Sequence, residues 1–571
     1  SGTSYITSTS ADTALSIEAT DNRNLLAFAG AIDLGASYTL GVAAAVNELE
    51  NKASATIENS SVNAGNADVT LAANINPELN AFALGVAVSD STGGGVVTAG
   101  SGAANRTDLA ADAHIKGAVD ENSGATDTTI KNAYGISVAA DITYTDVTAG
   151  AGGFGVQQSP FSADFGAAVA INDMPGDTVK AYVEDAELNA NSDIIINAQS
   201  AMDTTGDILA LAVGLNGAGN FSLGGSVAKN TVKPVTEAYV SGASSQLTAA
   251  GDISISASEK DLVVAAGAGV ISAAVQAVGG AAIGAAVSTN VVDSKVMAFV
   301  EQAGVTSDGD VTIQADQKNP QVITVGLGGE DATNFALGGS VATNDVTQTT
   351  DAHVSGNSQV SGGTGVSVNS TEESPTIVAA AGNFAASNKG VAIGAAVPTN
   401  TINRELRAYV GNQDSDSFTD DGADGASLTS STGEVEIKAI RTESLVLAVG
   451  VSGIGADSFS LGGSVVTNNL KSSTVDAHVW GGTLDGQKGV KVYAKDTNAT
   501  QAAGAGNLDL SYLFQSSGGS GSNSVVNGRQ FEDDSGNQAA KAGAGIEQID
   551  DRQENVCLLY TSDAADDRPR V

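Results

Sequence analysis

The chain has 571 residues, 65 of them acidic against 25 basic, for a formal net charge of -40 at neutral pH. That balance excludes nucleic acid and anionic bilayers as partners, because binding to either rests on Lys and Arg set against phosphate. Hydrophobic residues reach 42%, too many for a disordered chain, but aromatics are only 4% and glycine supplies 69 residues, so the apolar material is small and β-branched.

The sequence opens at Ser1 with no initiator Met and no apolar leader, so it is expected to be a piece of a longer protein. One pattern then recurs along it. A run of small residues ends in Asn at Asn47, Asn105, Asn172, Asn230, Asn290, Asn344, Asn400 and Asn468, at intervals of 58, 67, 58, 60, 54, 56 and 68 residues. Residues 1–500 therefore read as an array of about eight units with insertions in their loops.

Eight or nine residues after each Asn comes a second anchor, from Ala55-Thr56-Ile57 and Ala113-His114-Ile115 to Ala408-Tyr409-Val410 and Ala477-His478-Val479. All three histidines, His114, His353 and His478, fall at its middle position. Tyr, Phe and Thr replace them in sister units, which points to a side chain suited to a strand surface and away from imidazole chemistry. The third anchor alternates β-branched and polar residues, as in Asp252-Ile253-Ser254-Ile255 and Asp310-Val311-Thr312-Ile313. Period-2 alternation predicts a half-buried strand. Units also alternate in flavour: Phe221 to Val227, FSLGGSV, has counterparts at 335–341 and 459–465, and between them stand IGAAV runs at 283–287 and 393–397.

Residues 262–292 are uncharged throughout and long enough to span a bilayer. The same Gly-rich run opens the other units, however, so strands are expected here and no membrane insertion. Residues 501–556 read as a partial, irregular last repeat. The tail at 557–571, CLLYTSDAADDRPRV, breaks with the preceding composition and resembles a translated sequencing adapter, so it is expected to be non-native. The one cysteine, Cys557, lies in it, which leaves no disulfide framework and no cysteine-ligated metal site.

Units carrying several strand-like segments bury their apolar faces only by stacking on neighbours. The expected fold is all-β, a repetitive β-solenoid, with an elongated antiparallel β-sandwich array as the alternative. The eight recurrent asparagines are expected to stack as an internal ladder of side-chain amides at a turn.

The run GNFSLGGSVAKN, then EAYVSG, then GDISISAS resembles the repeats of large β-strand-repeat exoproteins of Gram-negative bacteria, the leukotoxin-like filamentous adhesins and filamentous-haemagglutinin-type proteins, over residues 24–500. The resemblance implies an extracellular or outer-membrane-associated location and a structural or adhesive stalk. It also implies partners among host-surface or matrix glycans and proteins, or neighbouring cells.

No catalytic residues are assigned and no enzyme is expected. The three histidines are repeat-equivalent and far apart, so they do not converge on one nucleophile. The densest acidic loop holds Asp414, Asp416, Asp420, Asp421 and Asp424, hard oxygen ligands suited to adventitious Ca²⁺, though without EF-hand spacing. No cofactor is expected beyond that. GGSGSNSVV at 518–526 resembles one calcium-binding nonapeptide, with Asn523 where Asp belongs. Trp480, after the last Ala-His-Val anchor, is expected to cover a strand edge or a coil end. The alternatives to a stalk are a carbohydrate-active β-helix enzyme, a carbohydrate-binding module, or a toxin-like exoprotein.

Overall fold

The computed structural model describes residues 4–7, 14–35, 37–90, 93–118, 128–157, 159, 161–204, 206–274, 279–411, 425–442, 444–497, 500–509 and 544–549. One unit makes one coil. A representative coil runs through a short strand Gln246–Ala249, two consecutive strands Ile253–Lys260 and Val263–Ala274, a reversal, and a long strand Ala281–Glu301. The following coil repeats this with Gly304–Ser307, Asp310–Lys318, Gln321–Ala332 and Phe335–Ser355.

Successive coils pair in parallel, residue for residue: Ile253 lies beside Val311, Val264 beside Val322 and Asn290 beside Asn344. Among the described residues this gives one narrow sheet of nine short strands and two broad sheets of eleven and seventeen. The protein is therefore an all-β solenoid. The antiparallel sandwich is set aside, since the one antiparallel pair among the described residues joins Thr500–Asp509 to Ala544–Ile549. Parallel register runs past residue 500, through Thr500–Asp509 on Leu445–Ala456. The apolar stretch at 262–292 supplies Val263–Ala274 and the first part of Ala281–Glu301, and among the described residues no helix is long and apolar enough to cross a membrane.

Corners are made by single residues in the left-handed region. Asn59, Asp185, Gln302 and the glycines Gly242 and Gly356 turn the long strand into the narrow sheet, with φ between 47° and 96°. Asp261, Asn319 and Ser374 kink the two consecutive strands, with φ of 55°, 51° and 50°. Asn and Asp tolerate this conformation because their short polar side chains bond locally, and Gly has no Cβ to clash.

The cross-section has two parts with different cores. Where the narrow sheet closes a prism, the interior holds large aliphatic side chains, among them Leu71, Ile75, Leu79, Leu109 and Ile130, all fully buried. Each contributes roughly 1.5–3 kcal/mol by leaving water. Beyond the prism the broad sheets continue as a flat two-layered wing whose inner face is almost entirely alanine: Ala81, Ala83, Ala168, Ala170, Ala210, Ala212 and Ala228.

Small residues line the wing because the two backbones nearly touch. Their Cα atoms come within 8 Å, against about 10 Å for ordinary stacked sheets. A Cβ on Gly153 would stand 2.6 Å from the Ala167 carbonyl oxygen, and one on Gly41 or Gly85 would overlap the carbonyls of Val86 and Gly100.

Size alternation between coils explains the two unit flavours. On the outer face of the wing Phe221, Ala281, Phe335, Val391 and Phe459 form one row. Large and small side chains therefore alternate from coil to coil along this row. The opposite face does the same: Phe82 lies over Gly150, whose Cβ would meet the ring at 2.7 Å, and Leu211 lies over Gly267 at 3.1 Å.

Candidate functional site

The eight asparagines stand at the boundary between prism and wing, inward-facing and within strands, five of them in the middle of long ones such as Tyr38–Glu58 and Ala281–Glu301. They do not lie at a turn. A side chain there can reach across the narrowing interior to the facing sheet, which a corner residue cannot. Asn47 Nδ2 donates to Asn105 Oδ1 at 3.0 Å, Asn105 to Asn172 at 3.0 Å, Asn172 to Asn230 at 2.9 Å and Asn230 to Asn290 at 2.9 Å. The chain continues from Asn290 to Asn344 at 3.2 Å, Asn344 to Asn400 at 2.9 Å and Asn400 to Asn468 at 2.9 Å. Each amide also donates to carbonyls of the opposite broad sheet; Asn290 reaches Ile323 at 2.8 Å and Val264 at 3.1 Å. The row thus joins neighbouring coils and pins the two sheets together.

The histidine positions form a second row, on the outside of the prism. His114, Tyr182, Tyr239, Phe299, His353, Tyr409 and His478 stack ring on ring, with centroids 4.7–5.2 Å apart and planes within 17° of parallel. Coil spacing imposes that distance. Carboxylates orient the imidazoles: His114 bonds Asp112 at 2.8 Å and Glu58 at 2.7 Å, while His353 and His478 bond Asp351 at 2.6 Å and Asp476 at 2.8 Å. Burial pulls the His114 pKa down, but its two carboxylates outweigh this and hold it above the ordinary histidine value. Inside the row every ring face is covered by its neighbours, so the row cannot stack a sugar. Trp480, 39% exposed, ends the strand Thr467–Trp480 just after this row and pairs with Gly411.

A buried polar seam runs inside the wing. Asn216, Ser272, Glu330, Asn383 and Ser452 project from one broad sheet and Asp164 from the other. Glycines receive them: Gly166 and Gly224 face Asn216, Gly284 and Gly338 face Glu330, and Gly394 faces Asn383. Asn383 Nδ2 donates to Glu330 Oε2 at 3.1 Å and the Gly217 N–H donates to Asp164 Oδ2 at 2.8 Å. Glu330 Oε1, Asp164 Oδ1, Asn383 Oδ1 and both amide atoms of Asn216 are buried without a hydrogen-bond partner. Burial pushes the Glu330 carboxyl from 4.5 up to about 8 and the Asp164 carboxyl from 3.8 up to about 7.

Sequence reading missed this seam. Its signal is one polar residue interrupting each small-residue run, as in GLNGAG, VISAA, GGEDA and GNFA.

The prism contains its own charged cluster. Glu372 accepts from Arg404 at 3.0 Å and from Arg441 at 2.5 Å, and Arg441 approaches Asp496 at 3.4 Å. Burial alone would raise the Glu372 pKa, but the two guanidiniums prevail and hold it below the usual carboxylate range. Glu372, Arg404 and Arg441 are at most 2% exposed, so the cluster offers no access to a substrate.

Asp414, Asp416, Asp420, Asp421 and Asp424, the nonapeptide-like stretch at 518–526 and the tail at 557–571 lie outside the described residues. Among the described residues no three His, Cys, Asp or Glu side chains gather as a metal-binding group. The surface depressions are shallow; one lies between Ile271 and Phe384 above Glu330 and Asp331. Compared with known proteins, the chain matches no family model, no curated protein and no solved structure.

Proposed function

We propose that this chain is a segment of a structural or adhesive stalk, belonging to a secreted or cell-surface bacterial exoprotein. The observation that carries this is the coil-to-coil register, shifted at Leu188/Ala190 and Ile402/Asn403 but otherwise continuous among the described residues, in which equivalent residues such as Asn230, Asn290, Asn344 and Asn400 stand side by side from one unit to the next. A β-solenoid bonded in this way extends length without adding a site, which is what a spacer or display rod requires.

Chemistry on the surface supports the same reading. Buried carboxylates are sequestered in the seam and the prism, and the row of aromatic rings on the outside of the prism is half-buried to buried and stacked against itself. A polysaccharide-cleaving β-helix would need an open groove with carboxylates within reach of a substrate. The test is to immobilise the purified chain and measure binding to host matrix proteins and a glycan array, alongside polysaccharide turnover. Saturable binding without turnover, or a rod-like scattering profile without either, supports the stalk. Turnover that survives purification would overturn it in favour of the enzyme.

A further inference from the structure

The wing inverts the usual amphipathic pattern. Its inner face is alanine and glycine, so the large apolar side chains of the alternating strands point out. On the sheet that contains the asparagines, three rows run along the array. Phe165, Leu223, Ile283, Leu337, Ile393 and Leu461 form a ridge. Two residues further on, Ala167, Gly225, Ala285, Gly339, Ala395 and Gly463 form a trough. Val169, Val227, Val287, Val341 and Val397 continue the pattern as a second ridge, on which Val465 follows. A Cβ on Gly225, Gly339 or Gly463 would meet nothing within 4 Å, so the trough is open to solvent.

From these observations we infer that this face is a docking surface for a second copy of the same chain, the ridge of each seated in the trough of the other. Four observations favour that occupant. With the outer Phe221 row included, the face is four rows of two-residue spacing by six coils, about 27 Å by about 29 Å, or roughly 800 Å². That equals what each partner contributes to a standard stable interface, about 800 Å², and exceeds the few hundred Å² of apolar surface a monomer ordinarily exposes.

The face carries almost no charge in a chain of net charge -40: among the described residues its four rows hold no charged side chain, and Lys229, Asp173 and Asp345 stand beside the asparagine row that bounds it. The opposite face carries Asp331 within its apolar region. Ridge and trough also repeat at the coil spacing, which only another solenoid matches along its whole length. Finally, rigid relief of this kind rewards a rigid complement, as in a dry interdigitated sheet interface. A fluid acyl chain gains nothing from it.

The inference is independent of what the stalk binds. It is tested on the full chain by sedimentation velocity from about 1 to about 100 µM, a range that resolves micromolar dissociation constants. A reversible dimer is expected, tightening as salt is raised, because salt screens the like charge of the two copies. The triple variant Gly225→Val, Gly339→Val, Gly463→Val fills the trough where space is open and φ is not positive. It should keep its circular dichroism and melting temperature while weakening the dimer about tenfold or more. Should that variant fail to fold, Leu223→Gln with Leu337→Gln removes the ridge without adding bulk.

A chain that stays monomeric throughout the range overturns the inference. So does a dimer unaffected by both variants, which would place association at the open coil ends, and so does a dimer that weakens with salt. Flotation of a monomeric chain with phosphatidylcholine vesicles would overturn it in favour of lipid.

Discussion

Replacing Glu330 with Gln should stabilise the protein increasingly as pH rises above about 4.5. Glu330 is 3% exposed, packed against glycines of the facing sheet, with a single hydrogen bond from Asn383. Its folded pKa is raised from 4.5 to about 8, so its favourable contribution is complete below about pH 4.5 and is lost as pH climbs towards 8. At about 1.4 kcal/mol per tenfold change in the proton equilibrium, an ionised Glu330 costs about 4–5 kcal/mol once pH exceeds the folded value. Glutamine has nearly the same shape, stays neutral and still accepts from Asn383. Glu330→Gln should differ from the parent by about 1 kcal/mol or less at pH 5 and be more stable by several kcal/mol at pH 9.

Repeat arrays open locally, so the effect is best read where it arises. Amide hydrogen exchange, corrected for intrinsic rates, should show the strands Gln321–Ala332 and Phe335–Ser355 losing protection between pH 5 and pH 9 in the parent and keeping it in the variant. Equal protection at both pH values in the parent, or a variant less protected at pH 9, would refute the assignment of a neutral buried carboxyl.

Two further outcomes follow from the interior. Asn290→Ala removes donors to Asn344, Ile323 and Val264 and the acceptor for Asn230. At roughly 1–3 kcal/mol for each buried polar group left unpaired, the loss should be about 3 kcal/mol or more, seen as a lower urea midpoint with exchange confined to neighbouring coils. A loss below the measurement error would mean that the row carries no energy. Glu372→Ala removes the carboxylate paired with Arg404, leaves Arg441 only Asp496 at 3.4 Å, and should lower stability by about 3–5 kcal/mol in thermal or chemical unfolding, with Glu372→Gln less damaging. A substitution without effect would show that water reaches the pair.

Much of the architecture can be read from the chain because a solenoid writes its period into every coil. The recurrent Asn47 to Asn468, the Ala-x-Val anchor and the Ile253-Ser254-Ile255 alternation identify units and strands, because equivalent positions in stacked coils meet equivalent surroundings. The candidate sites were less accessible. Period-2 alternation says that a strand has two faces and is silent about which one is inside when one face is Ala and Gly and the other Leu and Val. In the prism the large residues turn in, as Ile253 and Ile255 do; in the wing they turn out, as Leu223 and Val227 do.

The sequence by itself determined the repeat, the strand character, the small-residue composition of the wing and the polar residue that interrupts each small run. Tertiary structure alone decided that successive strands pair in parallel, that the asparagines sit within strands between two unlike cores, and that the histidine positions stack as rings. It also decided that Glu330 and Asp164 are buried against glycines. The reason is distance in the chain. A local pattern is set by neighbours one to four residues away, whereas each of these features depends on a partner one coil away, such as Asn344 for Asn290 at 54 residues, or on the facing sheet, whose approach is fixed only when both backbones are in place.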